Sequence, residues 1–213
     1  MTDTTPQTDA ILGAVLAGGR SSRMGGIDKA LIALTGKPLI AHVAERLAPQ
    51  VGAMAVNANG DAARFDRLGL PVFADTIGGH AGPLAGVLAA MRFASDRGAA
   101  FTHVATAATD TPFFPTDLVT RLAAAATTPD TIAMAASDGN RHPVFALWPT
   151  GLADDLERWL AGTDTFKVMA WAKRHRFAPV EFGPGAHGAD PFFNINTPED
   201  LTAAERQAQA ALV

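Results

Sequence analysis

Residues 11–29 read ILGAVLAGGRSSRMGGIDK, an apolar run followed by a segment with four glycines. The run Ile11–Ala17 predicts a strand, and ligands of open α/β sheets lie at the carboxyl ends of strands. Glycines let backbone N–H groups approach an anion closely. Arg20, Arg23 and Lys29 add three cations to the same segment. The stretch therefore predicts an opening strand followed by a site for a triphosphate or another polyanion.

This glycine-rich loop matches neither of the two common nucleotide-binding motifs. Gly13 and Gly18 have the Walker A spacing, but Gly19-Arg20 follows where Gly-Lys-Ser/Thr is required. The Gly-x-Gly-x-x-Gly order that opens a dinucleotide-binding helix is missing too, which disfavours NAD. A solvated loop with incidental arginines is the alternative interpretation.

Short runs rich in Val, Ile and Phe alternate with segments of helical period along the rest of the chain. This alternation is typical of an α/β domain with a mostly parallel sheet and helices on both faces. The predicted strands are Ile11–Ala17, Ala53–Asn57, Pro71–Asp75, Thr102–Thr109, Thr131–Ala136 and Pro143–Trp148.

Five helices are predicted between and after these strands from apolar spacing and first-turn prolines. Helices are expected behind Pro38, Pro83 and Pro115, across Leu152–Leu160, and from Pro198 onward. For the last helix, Thr197 and Asp200 form a capping-box pattern. We expect a flexible tail at residues 1–10 and a single Rossmann-like domain at residues 11–213.

Composition excludes several classes of protein. The chain has 213 residues, 48% hydrophobic content and a net charge of -4, which disfavours disorder and phosphate-neutralising nucleic-acid binding. It has no cysteine, which excludes disulfides and thiolate metal sites. No basic segment opens the chain and no apolar run reaches about 20 residues. We therefore expect a cytoplasmic protein without a membrane segment, with a monomer favoured.

An ordered set of motifs resembles a known enzyme family. Leu16-Ala-Gly-Gly-x-x-x-Arg23-Met-Gly with Lys29 resembles nucleotidyltransferases that activate a phosphorylated partner with an NTP. More narrowly, the chain is similar to the molybdenum cofactor guanylyltransferase family. The similarity continues through Gly36-Lys-Pro38, Asn57-Ala-Asn59, Asp75, Gly82-Pro-Leu-Ala-Gly86, Thr109-Asp-Thr-Pro112, Arg141-His-Pro143 and Asn194-Ile-Asn-Thr-Pro-Glu199. This resemblance implies a nucleotidyltransferase fold and transfer of GMP from GTP to molybdopterin with Mg²⁺.

The resemblance assigns Asp110 as the catalytic residue and metal ligand. Asp110 precedes Thr111-Pro112 at a predicted strand end, where a turn projects its carboxylate into a cleft. A carboxylate-bound Mg²⁺ would neutralise charge that develops on the α-phosphate and pyrophosphate. Without the resemblance, an Asp that only caps a turn is an equal alternative. Lys29 and Arg23 are the other implied catalytic residues, as cations that compensate phosphate charge.

The resemblance also implies nucleotide contacts. The backbone of Leu16, Ala17 and Gly18, the side chains of Asn57, Asp75 and Asn196, and Lys29 with Asp110 form this set. Amide and acid groups suit a base or ribose edge. Plain turn and helix-entry roles are the alternatives for these Asn and Asp residues.

Other functions stay open from sequence. A cytidylyltransferase would perform the same chemistry on CTP, although Ala17-Gly18-Gly19 favours GTP within the resemblance. A sugar-phosphate nucleotidylyltransferase and a non-catalytic nucleotide-binding module that delivers cofactor to molybdoenzymes are further alternatives. Besides the two substrates, the expected partners are molybdoenzyme-specific chaperones or other cofactor-biosynthesis proteins. His142 has no chemical role that sequence assigns. The basic run Lys173–Arg176 fits compensation of a helix dipole, and within the resemblance a contact with the anionic dithiolene-phosphate of molybdopterin is the alternative.

Overall fold

The computed structural model of the protein describes residues 5–18, 28–78, 82–185 and 188–210. The strands in this part of the chain are β1 (Ile11–Leu16), β2 (Ala33–Leu34), β3 (Lys37–Pro38), β4 (Ala53–Asn57), β5 (Val72–Phe73), β6 (His103–Ala108), β7 (Ile132–Ser137), β8 (Asn140–Pro149) and β9 (Phe177–Glu181). The helices are α1 (Leu39–Leu47), α2 (Pro83–Ser95), α3 (Leu118–Ala125), α4 (Ala153–Gly162), α5 (Val168–Ala172) and α6 (Pro198–Ala210).

Seven of these strands form one sheet in the order β5-β4-β1-β6-β8-β7-β9. The pairs β1–β4, β1–β6, β4–β5 and β7–β9 are parallel, whereas β8 runs antiparallel to both β6 and β7. The expected mostly parallel α/β sheet is therefore confirmed. β2 and β3 form a separate short hairpin.

Two predicted strands are joined by a tight hairpin that explains the antiparallel strand. Asp138 and Gly139 have φ angles of +47° and +74°, the conformation of a two-residue hairpin turn, between β7 and β8. β8 is longer than the predicted Pro143–Trp148, because the hairpin pairs its first residues with the end of β7.

β9 was not predicted from the sequence. It holds Pro179 at its centre, and a proline lowers the strand propensity of a segment. Its parallel pairing with β7 places it at the edge of the sheet, where a missing N–H is tolerated.

Helices cover both faces of the sheet, and β1 shows how the two faces are filled. Ile11 and Val15 point into the apolar cluster that includes α1 and α3, whereas Leu12 and Leu16 point into the cluster that includes α2, α4 and α5. Side chains of a strand alternate between faces, so a strand covered on both sides is apolar throughout. All six residues of β1 are buried.

Residues 8–10, within the segment expected to be a tail, form a 3₁₀ turn directly before β1. The Thr102 N–H donates to the Ala10 carbonyl at 2.9 Å. The division into a flexible tail at residues 1–10 and one domain at residues 11–213 stays a prediction. Among the described helices, none combines the length and the apolar character that crossing a bilayer requires.

Candidate active site

The order of the strands fixes where a ligand can bind. From β1 the chain moves outward through β4 to β5, then returns across the sheet to pair β6 with the other side of β1. This reversal makes the carboxyl ends of β1 and β6 a topological switch point, the usual ligand site of open α/β sheets. Leu16 ends β1 and Ala108 ends β6, opposite one another. The glycine-rich loop, which follows β1, and Asp110, which follows β6, therefore begin next to one another at this edge of the sheet.

Lys29 lies at the centre of the site, in a 3₁₀ turn that Asp28 caps. The Lys29 Nζ donates to Asp110 Oδ2 at 2.7 Å and to Asn196 Oδ1 at 2.6 Å. The side chains of Lys29 and Asp110 are 19% and 20% exposed, so the pair is partly shielded from water but still open to a ligand. Three predicted site residues, separated by up to 167 positions, are thus brought together.

Asn196 reaches Lys29 because its neighbours are anchored. The Ile195 N–H donates to the Asp110 carbonyl at 2.8 Å, and the Ile195 side chain is fully buried. Asp200 Oδ2 accepts from the Asn196 and Thr197 N–H groups at 2.8 and 2.9 Å. These backbone hydrogen bonds lower the pKa of Asp200, with the bond from Asn196 the largest cause. The predicted capping box is completed by the Asp200 N–H, which donates to Thr197 Oγ1.

A second polar cluster lies at the ends of β4 and β5. Asn57 Nδ2 donates to Asp75 Oδ1 at 3.0 Å, and Asn59 Nδ2 donates to Asp75 Oδ2 at 2.7 Å. The Asp75 N–H returns a bond of 3.0 Å to Asn59 Oδ1. Both carboxylate oxygens of Asp75 are therefore held by amides. We call Asn57, Asn59 and Asp75 the amide cluster.

The predicted backbone segment Leu16–Gly18 lies beside this amide cluster. Leu16 pairs with Asn57 in the sheet, and the Ala17 N–H donates to the Asn57 carbonyl at 2.8 Å. The Ala17 N–H is therefore already bonded within the sheet edge. A Cβ on Gly18 would lie 3.7 Å from Asn57 Oδ1, which shows how closely the loop passes this side chain.

α2 approaches the amide cluster from the other side. A Cβ on Gly86 would lie only 2.5 Å from Asn57 Oδ1 and 3.3 Å from its Cγ. Real Cβ atoms do not come this close to a carboxamide oxygen, so the position requires glycine for Asn57 to hold its conformation. Gly82, with φ of +58°, precedes Pro83 at the start of the helix.

The donor groups around Asp110 fit a divalent metal. Carboxylate and amide oxygens are hard ligands, and Mg²⁺ is usually held by one or two carboxylates together with substrate phosphates and water. In the described part of the chain, Asp110 Oδ1 accepts a 3.3 Å bond from Thr111 Oγ1. Asp110 Oδ2 and the amide oxygen of Asn196 both accept from Lys29 Nζ, so a metal that used these two oxygens would replace the contacts with Lys29. Among the described residues, no three His, Cys, Asp or Glu side chains are grouped for a metal. Asp110 with Asn196 is therefore the candidate set.

Arg23, predicted as a catalytic cation, and Arg20 lie outside the described residues. Of the three cations predicted to bind phosphate, Lys29 is the one that lies within the described residues, where it contacts Asp110 and Asn196. The remaining side chains of the prediction, Asn57, Asp75 and Asn196, all lie at the edge of the sheet where β1, β4 and β6 end.

A family model described as the MobA-like NTP transferase domain matches residues 13–177. The chain belongs to this family. Membership confirms the resemblance drawn from the motifs and identifies the chain as a nucleotidyltransferase.

Individual relatives carry a more specific name than the family model does. A molybdenum cofactor guanylyltransferase from Mesorhizobium japonicum is 50% identical over 202 residues, which cover 94% of this chain and 97% of the relative. Another from Bradyrhizobium sp. is 46% identical over 206 residues, 96% of each chain. The molybdopterin-guanine dinucleotide biosynthesis protein A of Archaeoglobus fulgidus superposes with a TM-score of 0.71 at 26% identity, covering 93% of this chain and 99% of that one.

Sequence reasoning missed two residues of this MobA-like site. Asn59 stood within a quoted motif, but nothing in the sequence indicated that it pairs with Asp75. Arg64 carried no signal, yet it contacts both Asp28 and the Asn59 carbonyl.

His142, which sequence left without a role, packs against the segment that leads to Asn196. Its ring stacks on Phe192 at 4.0 Å with an interplanar angle of 17°. His142 Nε2 lies 2.7 Å from Ser137 Oγ, and burial lowers the pKa of His142 despite the nearby Asp190 and Glu181. In the structure His142 is a packing residue of the segment around Phe192.

Proposed function

We propose that the protein transfers GMP from GTP to the terminal phosphate of molybdopterin, releases pyrophosphate and forms the guanine dinucleotide form of the cofactor. The observation that carries this proposal is the meeting of Lys29 with Asp110 and Asn196 at the switch point. The names of relatives at 46–50% identity supply the substrates.

In the proposed reaction an oxygen of the terminal phosphate attacks the α-phosphorus of GTP. The new P–O bond forms as the bond between the α-phosphorus and the β-bridging oxygen breaks, and pyrophosphate departs with that electron pair. The attacking oxygen is already ionised at neutral pH, so no side-chain nucleophile is required. Catalysis then depends on positioning and charge compensation.

The predicted side chains that the structure describes have the following tasks in this scheme. Lys29 contributes one positive charge toward the phosphates, and Asp110 with Asn196 would hold Mg²⁺. When bound, the metal compensates charge on the phosphate oxygens. Asp75, with both oxygens held by amides, and Asn57 present acceptors and donors of fixed direction for the base or ribose.

The proposal is tested by incubating the purified protein with Mg²⁺, molybdopterin and each of the four nucleoside triphosphates, and by measuring pyrophosphate. We expect release with GTP. Asp110→Ala should lower turnover by on the order of 10² to 10³-fold, because the charge compensation of the transition state is removed.

Asp66→Ala is a matched control, since Asp66 is an exposed carboxylate of the 3₁₀ segment Ala62–Leu68. It should leave turnover unchanged. A folded Asp110→Ala protein with wild-type turnover at saturating Mg²⁺ would show that the metal assignment is wrong. Release with CTP alone would identify a cytidylyltransferase, and no release with any nucleotide would favour a cofactor-delivery module.

The setting of this reaction belongs to the proposal as well. We infer a cytoplasmic enzyme that acts as a monomer and passes its product to molybdoenzymes or to their chaperones.

A further inference from the structure

Arg64 lies between the two polar clusters of the site, in the 3₁₀ segment Ala62–Leu68 that follows β4. Its side chain is 29% exposed. The reaction scheme gives it no task, and its polar contacts with Asp28 and with the Asn59 carbonyl are with residues that were not predicted to bind the nucleotide. Its two polar contacts nevertheless lead to both clusters.

On one side Arg64 contacts the turn that carries Lys29. Arg64 Nε lies 3.2 Å from Asp28 Oδ2, an ion pair in which the N–H is not aligned as a hydrogen bond. Asp28 Oδ1 accepts from the Ala30 N–H at 3.0 Å and so caps the 3₁₀ turn Lys29–Leu31. The Asp28 carboxylate therefore joins Arg64 to the backbone that positions Lys29.

On the other side Arg64 contacts the amide cluster. Its Nη2 donates to the Asn59 carbonyl at 2.8 Å. The Asn59 side chain forms two hydrogen bonds with Asp75, one to the carboxylate and one from the backbone N–H. One planar guanidinium thus connects the segment that holds Asp75 with the turn that holds Lys29.

We propose that Arg64 is a positioning residue that sets Lys29 at a fixed distance from the amide cluster, through Asp28 and Asn59. The inference rests on the proposed function, in which Lys29 meets the phosphates and the amide cluster meets the nucleoside of one GTP. A ligand held at both ends gains affinity only when the two ends of its site are aligned. Arg64 supplies that alignment without touching the ligand.

The side chains of Arg64 and Asp28 are 29% and 28% exposed, and the N–H between them is not aligned as a hydrogen bond. Such a partly solvated ion pair should contribute little to the free energy of unfolding. Loss of Arg64 should therefore change the recognition of GTP more than the midpoint of thermal unfolding. It should also affect GTP more than inorganic tripolyphosphate, which occupies the phosphate end alone and does not need alignment.

The test is titration calorimetry of GTP and of inorganic tripolyphosphate, each with Mg²⁺, on the full chain. Arg64→Gln should weaken GTP binding about tenfold, the equivalent of one misplaced charge-assisted hydrogen bond, and tripolyphosphate binding less than about twofold. Arg64→Lys keeps the charge but lacks the planar fork, so it should also fail to restore GTP affinity.

Arg67→Gln is the matched control, because Arg67 is an exposed arginine of the same 3₁₀ segment. It should bind both ligands as the wild type does. Asp28→Asn keeps an oxygen that can cap the turn and loses the charge. It should reproduce the effect of Arg64→Gln, and the double variant should be no weaker than either single variant.

Three outcomes overturn the inference. Equal weakening of GTP and tripolyphosphate by Arg64→Gln would indicate plain electrostatic attraction, as would full rescue by Arg64→Lys. Wild-type GTP affinity in Arg64→Gln would remove any role for Arg64. Failure of the wild-type protein to bind GTP is a different result, since it refutes the proposed function itself and the inference with it.

Discussion

Gly86→Ala offers a sharp test of the amide cluster, because the structure predicts a small effect on folding and a large effect on nucleotide binding. The added Cβ would lie 2.5 Å from Asn57 Oδ1, so the Asn57 carboxamide must turn away. That movement breaks its 3.0 Å bond to Asp75 and displaces a donor and an acceptor from the proposed nucleoside site.

The contributions of this substitution to the free energy of unfolding partly offset one another. Replacing glycine by alanine in a helix stabilises it by about 1 kcal/mol. The lost hydrogen bond costs about 0.5–1.5 kcal/mol, and an off-rotamer Asn57 costs a similar amount. The net destabilisation stays below about 2 kcal/mol, a shift of a few degrees in Tm for a chain of this size. GTP binding, however, should weaken by about ten- to a hundredfold.

The measurements are titration calorimetry with GTP and Mg²⁺ and thermal unfolding by circular dichroism. Gly162→Ala is the matched control. Gly162 ends α4, and apart from its chain neighbours and the backbone of its own helix no atom of the described residues lies within 4 Å of a Cβ there, so this variant should bind GTP normally. Wild-type GTP affinity in Gly86→Ala would refute the reasoning that Asn57 orients the nucleoside.

Three further outcomes follow from the surroundings of single residues. Lys29→Met should lower kcat/KM by on the order of 10²-fold with little change in Tm, since it removes the cation beside Asp110; steady-state kinetics and unfolding check this. Asp200→Ala removes the acceptor for the Asn196 N–H, so Tm should fall by about 2–4 °C. Burial lowers the pKa of His103 to about 4, so the folded state favours its neutral form. The contribution of neutral His103 to the free energy of unfolding should be fully present above pH 6.5 and should fall by about 3 kcal/mol as the pH decreases to 4. Urea unfolding across that range measures this change. A free energy of unfolding that does not vary with pH contradicts the assignment.

Much of the fold could be predicted because its signals are local. β1 is covered on both faces and is therefore continuously apolar in sequence. α2 and α6 begin with Pro83 and Pro198, whose fixed φ angle suits the first turn. β9 could not be predicted from the sequence, because the strand propensity around Pro179 is poor. The strand forms because it pairs with β7, which is distant in the sequence.

The candidate site also has one part that the sequence predicts and one part that depends on contacts between distant residues. The positions of Asp110 and Asn57 follow from strand ends, which the sequence indicates. The partners of these two residues do not follow from the sequence, because Asp110 meets Lys29 across 81 positions and Asn57 meets Asp75 across 18. Arg64 was missed for the same reason, since an arginine after a strand is ordinary until its neighbours in space are known.

The 3₁₀ turn before β1 has a practical consequence for handling the protein. The Asp9 backbone passes so close to Gly52 that a Cβ there would lie 2.5 Å from the Asp9 carbonyl oxygen, and β1 begins at the rim opposite to Lys29. A purification tag or fluorescent fusion joined ahead of this turn therefore approaches the end of β1 that is opposite to Lys29 and Asp110. Immobilisation through that end should leave the edge of the sheet that carries Lys29 facing the solvent, away from the sensor surface.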